Sequence, residues 1–318
     1  MTRFSAIHPR SRALSITLAA VAALVAPAAF GGAAVADTAP PPTTWTVQVG
    51  SETPNQAIQG MAFLPTDVYV NAGDTVNWVA NSAEIHTVTF LATGQPLLPF
   101  NPFSPADLFR QGGSVYDGAS YYNSGVMTNV SDSGFPAVSD YSLSFPSAGN
   151  FTYYCLVHGE MMKGTVHVQP AGTAYPYTQK DYDRESRAQA HAITLDGLAL
   201  QRTAMSQSDR HTVLEGADDG VAMVMRFIQP TVVVRVGETV TFVNNGMGAP
   251  HTVTFGTEPA NPFVPAGDPT AFAGGDLNSG ILLPGSSFSV TFTSAGSFSY
   301  LCALHDYMGM VGKVIVHN

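Results

Sequence analysis

The sequence predicts an all-β protein built from two tandem Greek-key β-sandwich domains, joined by a partly helical connector. From Trp45 onward, short runs rich in Val, Thr, Phe and Tyr are separated by Gly, Asn, Asp and Pro, as is typical of strands and turns. Several runs alternate polar and apolar residues. Many short strands at regular spacing, with no convincing helix inside either unit, favour sandwiches.

An internal repeat divides the chain into its two domains. Residues 63–81 match residues 227–245, and residues 147–164 match residues 294–312. We therefore predict one domain over residues 44–170 and a second over residues 210–318. The first copy carries longer loops, which usually lie at the surface and tolerate insertion.

The first residues have the composition of an export signal. Residues 1–36 combine a basic start, an apolar run and a small-residue cleavage site, and a proline-rich leader occupies residues 37–43. The alternative is a membrane anchor, but the apolar run is shorter than the ~20 residues that a span needs. We predict a secreted or cell-envelope protein with no membrane span after cleavage.

The charge balance excludes some partners. Of the 13 basic residues, three arginines lie in the signal segment and ten remain, against 23 acidic residues. An acidic surface does not favour nucleic acid or an anionic lipid as a partner. The sequence leaves the oligomeric state open.

The connector covers residues 171–209 and holds several of the basic residues. We expect a helix near residues 179–194, ending before Asp196 and Gly197, which are typical of a turn. The connector is interpreted as solvated or partly packed, and a docking element for a partner is the alternative.

Each domain contains one of the two cysteines, and each cysteine precedes a histidine and a methionine in one short loop. These residues are Cys155, His158 and Met162 in the first copy, and Cys302, His305 and Met310 in the second. A disulfide is the ordinary expectation for an exported protein with two cysteines. The repeat disfavours it, because equivalent positions in two domains do not bring two Cα atoms within about 7 Å.

Soft sulfur ligands beside an imidazole suit copper. A cysteine with two histidines and a long axial methionine forms a blue-copper electron-transfer site. Each loop lacks one imidazole, and the repeat supplies it as His86 in IHTVTF and His251 in PHTVTF. On the preceding strands, Tyr153 and Tyr300 share the cysteine's face, so each cysteine should end a core-facing row.

The second unit resembles a plastocyanin/pseudoazurin-type cupredoxin through PHTVTF and YLCALHDYMGMVGKVIV, and the first through IHTVTF and YYCLVHGEMMKGTVHV. The resemblance implies three equatorial ligands and one axial methionine in each domain, and thus two type 1 copper ions. The implied sets are His86, Cys155, His158 and Met162, then His251, Cys302, His305 and Met310. The first loop is one residue shorter, so Met161 and Met162 are both candidates for the axial ligand. We prefer Met162 because residues 162–166 keep the Met-x-Gly-x-Val pattern.

The resemblance implies a non-enzymatic electron carrier cycling between Cu(II) and Cu(I). Family members dock a redox partner through an apolar patch around an exposed downstream histidine, here His158 and His305. One alternative is copper sequestration or delivery in the envelope. A multicopper oxidase or nitrite reductase is a weaker alternative, because the sequence contains no His-x-His pair.

Overall fold

The computed structural model describes residues 41–318, so the predicted signal segment and the start of the leader lie outside the described residues. The strands of domain 1 are β1 Thr44–Glu52, β2 Ile58–Leu64, β3 Asp67–Asn71, β4 Thr75–Ala80, β5 Thr89–Phe90, β6 Tyr122–Asn123, β7 Asp140–Ser144, β8 Gly149–Cys155 and β9 Gly159–Gln169. Those of domain 2 are β10 Thr212–Asp218, β11 Ala222–Ile228, β12 Thr231–Arg235, β13 Thr239–Val243, β14 Thr254–Phe255, β15 Leu277–Asn278, β16 Ser287–Thr291, β17 Gly296–Leu301 and β18 Val311–His317. The helices are α1 Pro105–Leu108, α2 Gln179–Gln207 and a 3-10 turn at Asp306–Met308. None of these described helices is long and apolar enough to cross a membrane.

The two domains repeat one topology. In domain 1, strands β2-β1-β4-β7 form one layer and β3-β9-β8-β5-β6 the other; domain 2 has β11-β10-β13-β16 and β12-β18-β17-β14-β15. Aromatic side chains fill the space between the layers: the rings of Trp78 and Tyr153 lie 5.1 Å apart, and those of Phe242 and Tyr300 lie 5.0 Å apart. The predicted all-β, two-sandwich architecture with a helical connector is confirmed.

One strand pair joins the two domains into a continuous eight-stranded sheet. Strand β2 pairs antiparallel with β11, and Gln59 lies opposite Met223 at the centre of the pairing. These two positions are equivalent in the sequence repeat. The domains are therefore related by a local pseudo-twofold axis, as in an isologous dimer interface.

Helix α2 covers the seam between the domains, packing against β1 and β2 of domain 1 and β10 and β11 of domain 2. It begins at a capping box, in which the Thr178 side chain accepts a hydrogen bond from the Asp181 N–H and the Asp181 carboxylate accepts one from the Thr178 N–H. One face is buried, consisting of Tyr182, Ser186, Ile193, Gly197 and Ala204. The connector is therefore a structural layer that contacts both domains.

The predicted end of this helix near residue 194 is wrong, because the helix continues through Asp196 and Gly197 to Gln207. Gly197 is buried, and a Cβ atom at this position would overlap the Ile58 side chain. The glycine thus allows a close approach of helix to sheet rather than a turn. A glycine inside a helix can reflect packing of this kind, which the local sequence does not reveal.

The substitution Gly197→Ala tests this close approach. In an exposed helix it would add about 1 kcal/mol of stability. Here we expect overpacking against Ile58 to lower the free energy of unfolding by about 1–3 kcal/mol instead. Urea unfolding of Gly197→Ala measures the packing cost, and urea unfolding of the exposed control Ala192→Gly measures the difference in helix propensity alone. A Gly197→Ala protein more stable than wild type would contradict the packing role.

Candidate metal centres

The first candidate centre lies at one end of the domain 1 sandwich. Cys155 is the last residue of β8, His158 lies in the turn between β8 and β9, and His86 precedes β5. The Cys155 Sγ atom lies 3.8 Å from Nδ1 of His86 and 3.3 Å from Nδ1 of His158. All three side chains are buried, so strands distant in sequence bring the predicted residues together.

The second centre repeats this arrangement in domain 2. The Cys302 Sγ atom lies 3.8 Å from Nδ1 of His251 and 3.4 Å from Nδ1 of His305. The two Nδ1 atoms are themselves 3.2 Å apart. Among the described residues, these are the two groups of at least three His, Cys, Asp or Glu side chains whose ligand atoms converge.

The donor spacing fits a metal ion. Two ligands bound to one ion at roughly 2.0 and 2.3 Å and tetrahedral angles lie about 3.5 Å apart. The observed sulfur–nitrogen distances of 3.3 to 3.8 Å match this spacing in both domains. A soft sulfur with two imidazoles is a donor set that copper prefers.

The methionines next to the centres differ in exposure. Met162 is 1 % exposed and belongs to the same buried cluster as Cys155, while Met161 is 40 % exposed. A side chain at Gly220 of domain 2 would meet the Met161 sulfur, so Met161 faces the other domain. In domain 2, Met310 is fully buried in the cluster that contains Cys302.

Burial sets the protonation of these groups. It lowers the pKa of His158 to about 3 and that of His305 to about 4. Burial, with the neighbouring histidine as a second cause, lowers the pKa of His86 and of His251 well below the ordinary range. The imidazoles are therefore neutral near pH 7, with lone pairs free to bind a metal.

The cysteines show the opposite shift. Burial raises the pKa of the Cys155 thiol to about 11 and that of the Cys302 thiol to about 12. A metal ion binds the thiolate, so its binding releases the proton. Backbone N–H groups of Thr87 and Thr252 point at the two sulfurs, 3.4 Å from each, and stabilise that negative charge.

The same threonines hold each cysteine loop in place, a role that the sequence analysis did not assign. The Thr87 hydroxyl accepts a hydrogen bond from the Leu156 N–H at 2.8 Å, and the Thr252 hydroxyl accepts one from the Ala303 N–H at 2.7 Å. Each threonine directly follows the upstream histidine in the sequence. The sequence feature that pointed to this role is the Thr-x-Thr pattern, which recurs in both copies of HTVTF.

In domain 1, a serine positions the upstream histidine. The Ser82 hydroxyl lies 2.9 Å from Nε2 of His86, which leaves Nδ1 facing the Cys155 sulfur. Gly50 makes room for this pair, since a Cβ atom there would lie 2.6 Å from Nε2 of His86, and its φ of +74° suits glycine. In domain 2, Met247 has the same spacing from the upstream histidine as Ser82 has in domain 1, four residues before it.

The downstream histidines are not exposed, contrary to what the family resemblance implies. His158 and His305 are each 5 % exposed. Nε2 of His305 lies 3.8 Å from Oε2 of Glu84, so domain 1 covers the centre of domain 2. The pairing of β2 with β11 places domain 1 against this centre.

Two buried carboxyl groups make the electrostatics of the centres unequal. Burial raises the pKa of Glu84 to about 7, and Ala249 occupies the equivalent position in domain 2. Burial likewise raises the pKa of Glu215 to about 8, and Val49 is its counterpart in domain 1. The charge of Glu215 also raises the pKa of Cys302.

Both domains match the family model of copper-binding proteins of the plastocyanin/azurin family, over residues 51–169 and 211–317. The chain therefore belongs to this family, and its two buried centres fit two type 1 copper ions.

Named relatives are similar to parts of this chain. Plastocyanin of Chlamydomonas reinhardtii is 37 % identical over 131 residues, which cover 41 % of this chain and 80 % of the relative. Plastocyanin of Mercurialis perennis is 37 % identical over 105 residues, covering 33 % of this chain and 98 % of the relative. A Cu(I) structure of a mutant amicyanin is 27 % identical at a TM-score of 0.24, covering 35 % of this chain and 85 % of that one.

The substitution Ser82→Ala tests how His86 is positioned. Loss of the Ser82–His86 hydrogen bond should weaken copper binding in domain 1 by about 10–100-fold, as is usual when a partner of a ligating histidine is removed. Competition titration with a copper chelator measures the affinity of each centre. The matched control Met247→Ala should leave both affinities unchanged, and an unaltered domain 1 affinity in Ser82→Ala would disprove the positioning role.

Proposed function

We propose that this protein is an exported electron carrier with one type 1 copper ion in each domain, cycling between Cu(II) and Cu(I). The observation that supports this most directly is the buried Nδ1–Sγ–Nδ1 triangle that occurs in both domains. The proposed ligands are His86, Cys155, His158 and Met162 in domain 1, and His251, Cys302, His305 and Met310 in domain 2.

Bound copper would supply a one-electron couple, and the protein would limit how far its ligands move. Each cysteine ends a strand, and a threonine hydroxyl fixes the residue after it. The neutral imidazoles are buried and need not gain or lose a proton when the metal changes charge. A rigid, water-poor ligand set of this kind keeps the rearrangement small, which favours fast electron transfer.

Met162 is proposed as the axial ligand of domain 1 because it is buried in the cluster of Cys155, whereas Met161 is directed at Gly220 of the other domain. Met308 of domain 2 lies three residues after its histidine, as Met161 does, and it is buried among residues of domain 1. The first of each methionine pair therefore belongs to the domain interface. The second, Met162 or Met310, is left for the metal.

Two other described histidines, His167 and His211, have contacts away from the centres, which supports a carrier rather than an oxidase. His167 lies 2.8 Å from both Asn150 and Asp67, and His211 lies 3.6 Å from Glu238. An oxidase or a nitrite reductase needs additional copper bound by histidines near the first. Oxygen consumption with a phenolic donor would support that alternative.

Copper delivery is an alternative function that would use the same ligands, but it would require the site to give up its ion. A delivery protein must release its ion to an acceptor, but all three strong ligands of each centre are buried here. This burial favours retention of the ion. Rapid Cu(I) transfer to an apo-protein would favour delivery, and a reduction potential accessible to a redox partner would favour electron transfer.

We infer that the redox partner docks beside each downstream histidine, on the rim of its loop, because His158 and His305 themselves are covered. An exposed apolar residue on this rim is Val311, next to Met310. The formal net charge of −10 would attract a basic partner surface. Export is proposed from the signal-like residues 1–36.

Copper loading tests the two-centre proposal. The oxidised protein should be blue, with a copper-to-protein ratio near two. Cys155→Ser and Cys302→Ser should each remove one of two thiolate-to-copper absorption and EPR signals, because each cysteine supplies the only thiolate of its centre. A colourless protein that takes up no copper after refolding with Cu(II) would refute the proposal.

A pair of methionine variants tests the axial ligand. Met162→Leu should raise the reduction potential of the domain 1 centre and change its absorption spectrum, since the axial ligand tunes both. Met161→Leu, its neighbour in the sequence, should leave both unchanged. Protein-film voltammetry and optical spectra give the two readouts, and the reverse pattern would assign the ligand to Met161.

A further inference from the structure

One loop of domain 1 touches both centres. Residues 82–86 end at His86, and Ser82 at the other end binds the same imidazole. In between, Glu84 Oε2 lies 3.8 Å from Nε2 of His305, and the Ala83 carbonyl accepts a hydrogen bond from the Tyr307 hydroxyl at 3.3 Å. The loop that presents one histidine ligand thus contacts the ligand loop of the other domain.

The reciprocal contact exists as well. A side chain at Gly248 would lie 3.7 Å from the Met161 Cε atom, and Gly248 belongs to the loop that leads to His251. Ala249 of the same loop is buried in the core cluster of domain 1. By the pseudo-twofold relation of the domains, each ligand loop therefore lies against the loop that presents the upstream histidine of the other centre.

This arrangement places the His305 imidazole at the interface between the domains instead of in solvent. The side chains of His305 and Glu84 are 7 % and 6 % exposed, so no water layer separates them. From Glu84 the covalent path to His86 passes through a single residue, Ile85. The contact between His305 and Glu84, followed by the chain from Glu84 to His86, is therefore a short connection between the two centres.

We propose that the loop of residues 82–86 conducts electrons between the two centres within one chain. The inference rests on the proposed copper-carrier function and adds an internal exchange to it. With copper bound in both domains, one electron would pass between the centres through His305, Glu84 and His86. The oxidation of one copper ion would balance the reduction of the other, with no bond made or broken and no proton transferred.

The test uses the full chain loaded with copper, with Met310→Gln introduced so that the two centres differ in absorption. A brief pulse of reducing radicals supplies less than one electron per chain. Redistribution of that electron between the centres should then proceed at a rate constant independent of protein concentration. A redistribution rate proportional to protein concentration would overturn the proposal, while two intact blue signals would leave the carrier function standing.

Single-centre proteins provide the first controls. Cys155→Ser and Cys302→Ser should each lose the concentration-independent phase, because each retains one centre. The oxidised two-copper wild type should show EPR broadening that is absent from both variants. This measurement needs no change at the interface, and unbroadened wild-type spectra would contradict the close approach of the centres.

A second pair of variants tests the loop itself. Glu84→Ala combined with Tyr307→Phe removes the two polar contacts described above between the loop and domain 2. It should abolish the concentration-independent phase while both absorption bands remain. Glu160→Ala removes an exposed carboxylate from the ligand loop of domain 1 and should leave the phase unchanged. An undiminished phase in the double variant would show that the loop is not the conductor.

Discussion

The antiparallel pairing of β2 with β11 is the contact on which the arrangement of the molecule depends. It extends beyond the paired residues, since the Met61 N–H donates to the Val221 carbonyl at 2.7 Å and the Met225 N–H to the Ala57 carbonyl at 2.9 Å. Each strand would otherwise be an open edge, which favours aggregation. Because equivalent strands pair, each ligand loop lies against the loop that presents the upstream histidine of the other domain, and α2 covers the seam.

Within each domain, the centre depends on one recurring set of contacts. A strand ends at the cysteine, a threonine hydroxyl holds the following residue, and the threonine N–H approaches the sulfur. The same bonds recur at matching positions in both domains. Differences surround this framework: Glu84 stands where domain 2 has Ala249, Glu215 stands where domain 1 has Val49, and the first ligand loop is one residue shorter.

Burial connects the chemistry of the centres to the stability of the fold. Neutral imidazoles and protonated thiols are the forms that burial favours in these pockets. Metal binding then removes a proton from each thiol and adds its free energy to that of folding. Retention of the ion and maintenance of the sandwich are therefore linked.

The sequence alone determined the β-sandwich class, the duplication and the ligand candidates, because strand alternation and Cys-x2-His spacing are local properties. The repeat also located His86 and His251, although each lies far along the chain from its cysteine. The exposure of His158 and His305 was decided by the tertiary structure, since the sequence of an edge strand such as β2 does not show whether its edge faces solvent or pairs with another strand. The end of α2 was likewise decided by packing, because Gly197 has a reason to be helical only when Ile58 lies against it.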